Sequence, residues 1–267
     1  MLDHRLLPTE EDLPFTDGKP VDSELQTWVP ALLATVLTWL WRDRTDWFFG
    51  VNLGLYYDPD LPAVVPDGFL SLGVPFLKNP NGRLSYLIWQ ENNIVPLLAI
   101  EHVSHKYNGE YDDKLAIYRQ VGIPYYIIYN PTYWRRHKRQ PLEMYRLIDG
   151  DYALQTDEPL WIPEINLGIG RAQGTFRGWQ REWLFWFNAD GDRILVPEEQ
   201  ARQIERQLAE ERRRVTEALW QVQQERLRAE QAQQQVEQAQ QLAYQEQMRA
   251  KRLADRLRAL GIDPDSV

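Results

Sequence analysis

The chain is 267 residues long, 43% hydrophobic and 26% charged, an ordinary globular mixture that excludes wholesale disorder. It has no cysteine, which excludes a disulfide scaffold, a thiol nucleophile, an iron–sulfur cluster and a cysteine zinc site. A formal net charge of −9 argues against a protein that coats nucleic acid by bulk electrostatics.

Residues 1–20 read as an N-terminal extension, with acids where a signal peptide has a basic region. The longest uncharged stretch, residues 25–41, is 17 residues and shorter than the ~20 a membrane-spanning helix needs. The expectation is a cytoplasmic protein with no membrane partner. Residues 21–197 then read as one mixed α/β domain. A helix is expected over 22–42, capped by Asp22 or Ser23, with Leu25, Val29, Leu32, Leu33, Val36, Leu37 and Leu40 on its apolar face.

Strand-like runs follow at 48–57, 64–72, 85–90 and 97–103. Residues 112–121 read as a helix, and 124–129 (PYYIIY) as a buried strand. A strand–helix–strand order over 97–129 needs a crossover, which points to a partly parallel sheet. Hairpins are expected at 142–155 around Asp149-Gly150, and at 183–196 around Asp190-Gly191.

The composition changes near Pro197. Residues 198–267 hold 13 acids and 12 bases, so the acidity belongs to residues 1–197. From Ile204 to Leu260, positions alternately four and three apart are apolar at 14 of 17 places. That period is the coiled-coil signature. Six seam positions are Ala and three are Glu, so each such layer buries little. Residues 198–260 are expected to form one long helix that pairs with a second copy. A lone solvated helix is the alternative. Gly261 and Asp263-Pro264 end it, leaving 261–267 as a tail.

The chemistry lies in acids at strand ends. Asp67 sits where a strand begins and Glu101 near the end of an otherwise apolar strand. Buried carboxylates are costly unless they are paired or hold a cation. A divalent cation relieves the repulsion of two neighbours, and a lysine near them, for which Lys114 on the following helix is the candidate, can act on charge developing on a phosphate. Taken singly, a turn cap at Asp67, an arginine partner for Glu101 and a solvated Lys114 are the plainer readings. Neighbours in a strand point to opposite faces, so Glu101 and His102 diverge and do not make a zinc site with His105. There is no GxxxxGK[ST] or GxGxxG loop. The one strong basic cluster is Trp134, Arg135, Arg136, Lys138 and Arg139, which suits a phosphate backbone with Trp134 stacked on a base. A solvated loop between strands is the plainer reading of the same residues.

Taken in order, Pro66-Asp67-Gly68-Phe69, Glu101-His102-Val103-Ser104, Lys114, Tyr118 and residues 122–131 resemble the Uma-type restriction endonuclease family of the PD-(D/E)XK superfamily. The resemblance covers roughly residues 20–195. It implies a restriction-endonuclease-like mixed β-sheet core flanked by helices, and hydrolysis of DNA phosphodiester bonds by metal-activated water. It further implies Mg²⁺ or Mn²⁺ on Asp67 and Glu101, with Lys114 catalytic. The superfamily's lysine falls two residues after the second acid, where this chain has Val103. The resemblance therefore draws the lysine from the helix. Glu24 and Ser104 are possible accessory residues. Glu110 stands where the family often has Asp. The alternative function is a catalytically inactive nuclease-fold scaffold acting through its coiled coil.

Overall fold

The computed structural model describes residues 7–14 and 23–261. Asp22 and Asp263-Pro264 lie outside the described residues. In chain order the elements are α1 (Glu24–Leu40), β1 (Trp47–Val51), β2 (Leu55–Tyr56), β3 (Gly68–Leu72), β4 (Tyr86–Leu87), β5 (Leu98–His102), α2 (Asp113–Val121), β6 (Tyr125–Tyr129), α3 (Trp134–His137), β7 (Leu142–Ile148), β8 (Asp151–Gln155), β9 (Leu160–Ile162), β10 (Leu167–Phe176), β11 (Trp179–Phe187) and α4 (Pro197–Ala259). The chain divides into two compact units, Met1–Gln200 and Ala201–Val267.

The first unit is built on a six-stranded mixed sheet, ordered β1-β3-β5-β6-β7-β8. Within it β5 and β6 run parallel, with α2 as their crossover, and the remaining pairs are antiparallel. Alternation along β5 sends Leu98 and Ile100 to one core and Ala99 and Val103 to the other. On the first face lies α1, whose buried residues Val29, Leu32, Leu33, Val36 and Leu37 recur at helical spacing. The antiparallel sheet β9–β11 shares that core, and Trp186 Nε1 donates to the Leu33 carbonyl at 3.0 Å. On the second face Tyr118 of α2 packs with Tyr126 and Ile128. Each large side chain removed from water contributes roughly 1.5–3 kcal/mol.

Two glycines are required by their positions, one by close packing at β3 and one by the end of α2. Gly68 has Pro30 of α1 so near that a Cβ there would lie 2.7 Å from the proline ring. Gly122, at φ 86°, ends α2 in the left-handed conformation, and its N–H reaches the Tyr118 and Arg119 carbonyls.

Several elements differ from the sequence expectation. The single strand expected at 48–57 is two, because Asn52 takes φ 48° and turns the chain between β1 and β2. The strand expected over 64–72 begins only at Gly68, Val64 keeping one bridge to Leu55. At 85–90 two strand residues lead into a 3₁₀ turn, Ile88–Gln90. Residues 134–137 form one helical turn instead of a loop. The hairpin partner of β11 is β10, with Phe176 opposite Trp179, and only Phe187 bridges Arg193. The hairpin at Asp149-Gly150 forms as expected, both residues at positive φ as a tight primed turn requires.

The second unit is helical throughout residues 201–259, with no buried residue in α4. Its seam is open to solvent in the single chain, with Ile204 62% and Val222 55% exposed. Among the described residues, no helix is long and apolar enough to cross a membrane.

Candidate active site

Antiparallel pairing places Gly68 opposite Ile100, so Asp67, at the mouth of β3, lies beside the end of β5. The Asp67 Oδ2 accepts the His102 backbone N–H at 2.6 Å. Glu101 faces the α2 side of the sheet. There α2 presents Lys114 and Tyr118, four residues apart and hence on one helical face. Lys114 Nζ lies 2.7 Å from Glu101 Oε2, and the Tyr118 hydroxyl donates to Oε1 at 2.6 Å. Lys114 Nζ also donates to the Val65 carbonyl at 3.3 Å.

The electrostatics follow from burial. Asp67 is 7% exposed and Glu101 1%. Loss of water holds Asp67 well above the usual carboxylate range, and the Glu101 charge pushes it further, against the pull of Lys114 and the His102 N–H. Burial raises Glu101 as well, and Lys114 and the Tyr118 hydroxyl offset part of that rise. For Lys114, burial alone favours the neutral amine. Attraction to Glu101 and Asp67 outweighs it, so the ammonium titrates above its ordinary value. Tyr118, fully buried against Glu101, is raised well above a free phenol.

The structure brings Asp67, Glu101 and Lys114 together. The position two residues after Glu101 is filled by Val103, fully buried in the α2-side core, and the helix supplies the cation to the same face. Glu110, also buried, accepts the Asn108 N–H at 2.8 Å, and its charge raises both Asp67 and Glu101. Glu24 is exposed in the first turn of α1, away from such burial. Ser104 is buried and donates to the Lys106 carbonyl at 3.0 Å.

The basic cluster forms α3 and its C-terminal turn, beside the loop that follows β5. Arg136 Nη1 reaches the His105 carbonyl at 3.4 Å. The guanidinium of Arg135 lies 4.8 Å from the Trp134 ring centre, Arg136 4.8 Å from Tyr133, and Arg139 4.7 Å from Tyr111. Lys138 takes the left-handed conformation that ends the turn. A groove of about 680 Å³ opens over Lys114 between residues 62–65 and the start of α2.

Tyr118 and Glu110 are the site residues whose roles were not read from the sequence. Tyr118 had a signal, because it follows Lys114 by one helical turn. Glu110 had a signal only in the resemblance, standing where the family often has Asp.

The donor set suits a hard divalent cation. Two buried carboxylates lie close together with one ammonium, which is paired to Glu101, so a bound cation would favour the ionised form of Asp67 that burial opposes. Among the described residues no three acids or histidines form a metal-binding group. The two carboxylates fit Mg²⁺, which keeps several of its waters and binds through one or two protein carboxylates.

This is a mixed α/β protein whose strand-end acids, on the interior strands β3 and β5, meet a helical lysine. The profile of the Uma2 family, described as "Putative restriction endonuclease", matches residues 4–173. The chain belongs to that family, and its core has the restriction-endonuclease-like fold. No curated protein and no solved structure matches the chain.

Proposed function

We propose that the chain is a Mg²⁺- or Mn²⁺-dependent DNA endonuclease, with residues 21–197 as the nuclease domain, acting in the cytoplasm. The carrying observation is the buried Asp67–Glu101 pair with Lys114 Nζ 2.7 Å from Glu101. Asp67 and Glu101 would hold the cation. When bound, the metal supplies a Lewis acid and a water of lowered pKa. In the reaction a P–O bond forms to a water oxygen, another breaks, and the leaving oxygen takes up a proton.

The chain's own groups set the scene for that exchange. Lys114 stays an ammonium, so it acts by charge and hydrogen bonding and not as a base. Two of its three N–H groups are used on Glu101 and Val65, leaving one for a phosphate oxygen or the attacking water. Tyr118 and Lys114 fix the Glu101 carboxylate, and the His102 N–H fixes that of Asp67. The groove over Lys114 is the approach for the phosphate. Calorimetric titration with Mg²⁺ and Mn²⁺ tests this reading. Wild type is expected to bind and Asp67→Ala to lose measurable binding while keeping its far-UV spectrum. Equal binding by both would sink the assignment.

The long exposed helix favours a second reading, an inactive nuclease-fold scaffold working through a coiled coil over 198–260. Its seam residues are left open in the single chain, which suits a homodimer. Sedimentation equilibrium of the full chain is expected to show a dimer that Val215→Lys with Val222→Lys converts to monomer. A wild-type monomer at high concentration would remove the coiled coil.

A further inference from the structure

Arginines whose guanidinium lies over an aromatic ring recur in the first unit. Most of those away from the acids also clasp a carboxylate, as Arg44 does Asp46, Arg83 does Glu91 and Arg193 does Glu199. Arg135 and Arg136 of α3 make no ion pair among the described residues, and neither does Arg177. Arg177 sits at the tip of the β10–β11 hairpin, its guanidinium 3.8 Å from the Trp28 ring centre. A guanidinium held over a ring by cation–π attraction spends no N–H on a carboxylate and can still donate to an anion.

Contacts place that tip at the acid end of the sheet. Trp28 follows Thr27, whose hydroxyl accepts the Asn52 side chain at 3.4 Å, and the Asn52 N–H donates to the Asp67 carbonyl at 3.1 Å. Independently, the Tyr129 hydroxyl donates to the Glu182 carbonyl of β11 at 3.0 Å. Tyr129 is the strand partner of His102, the last residue of β5. The hairpin and α1 lie on one face of the sheet. The α3 turn is tied to the other face, where Arg139 covers Tyr111 of the α2-side core. Ring-capping arginines without an ion pair, Arg135 and Arg136 on one side and Arg177 on the other, thus flank the acids from opposite faces, Arg136 also donating to the His105 carbonyl. Next to Arg177, Trp179 is 44% exposed, a large aromatic surface left in water.

We propose that the β10–β11 turn is a second contact for duplex DNA, Arg177 donating to a backbone phosphate and Trp179 packing on the neighbouring sugar or base. With α3 it makes a two-sided clamp that seats a duplex across the acid edge. This rests on the reading of the chain as acting on DNA. It accounts for DNA binding by an acidic protein, because the positive groups gather where the phosphates pass.

The test is fluorescence anisotropy of a labelled short duplex with the full chain, in EDTA and in Ca²⁺, over a range of salt. Arg177→Asn keeps the turn, since Asn tolerates the φ of 51° found there. Arg177→Asn is expected to weaken binding about tenfold on every sequence and to reduce the salt slope by about one. Trp179→Ala is expected to weaken it further in combination. Arg146→Ala, a ring-stacked arginine paired with Tyr125 at the other end of β6, is the control and is expected to bind as wild type. If Arg177→Asn and Arg177→Glu bind as wild type while Arg135→Ala with Arg136→Ala binds weakly, DNA binding stands and the hairpin contact falls. Equal weakening by Arg146→Ala would also overturn it, as a bulk charge effect. Wild type that binds no duplex in either condition removes the DNA reading itself. Far-UV spectra and thermal midpoints separate loss of contact from loss of fold.

Discussion

Lys114 Nζ lies 2.7 Å from Glu101 Oε2 although one residue is on a helix and the other on a strand. The strand position that carries the lysine in the wider superfamily holds Val103, which packs in the core. The helix over that core delivers the ammonium to the same face. Charge position is kept while its covalent attachment changes, and this arrangement makes distinct demands on stability.

Removing the ammonium leaves two buried carboxylates facing each other. Lys114→Met is expected to lose about 3–5 kcal/mol at neutral pH, measured by urea unfolding. Both acids have folded pKa values above their unfolded ones, so the folded form takes up protons first. Stability therefore rises as pH falls towards the unfolded carboxylate value, and the deficit of Lys114→Met is expected to shrink below neutrality. A variant as stable as wild type at neutral pH would show that the charges do not couple.

Tyr118→Phe keeps the ring and deletes one hydroxyl. The buried Glu101 Oε1 then lacks its donor, at a cost of roughly 1.5–3 kcal/mol. Metal affinity read by calorimetry is expected to fall as the carboxylate loses its fixed orientation, by about 10–100-fold. Unchanged stability and affinity would remove Tyr118 from the site.

His102 sets an acid limit of its own. Burial, with the charge of Arg181, pushes its pKa down to about 4, and among the described residues neither ring nitrogen has a hydrogen-bond partner. A folded pKa below the unfolded value near 6.5 means that the folded form holds fewer protons. Its stability contribution is complete above about pH 6.5 and is lost as pH falls towards 4, by roughly 3 kcal/mol. The difference in unfolding free energy between wild type and His102→Leu is expected to change across that window. A constant difference would refute the buried neutral imidazole.

Much of this architecture was legible in residue pattern. The period of α1, the apolar run of β6 and the Asp149-Gly150 turn state their structures locally, and the parallel β5–β6 pair follows from the helix between them. The strand at 183–187 was read and forms the end of β11, but β9, β10 and their pairing with it were hidden for two reasons. Gly168, Gly170 and Gly174 make β10 look unlike a strand, yet a Cβ at each would meet Pro159 or the Phe185 ring. Its turn is Arg177-Gly178, which lacks the usual Asn-Gly signal although both residues take positive φ. In the site, the acids and lysine could be named, but the clamp on Glu101 depends on where α2 lies. The place of Arg177 depends on the β10–β11 pairing, which the sequence did not announce.

The Gly68–Pro30 contact ties the first acid to the first helix. A methyl group at position 68 must either push α1 off the sheet or drag β3 with it, and Asp67 moves in both cases. Metal affinity should thus respond to changes in α1 packing far from any charged group. Helix seat and acid form one mechanical part, and drift in either is constrained by the other.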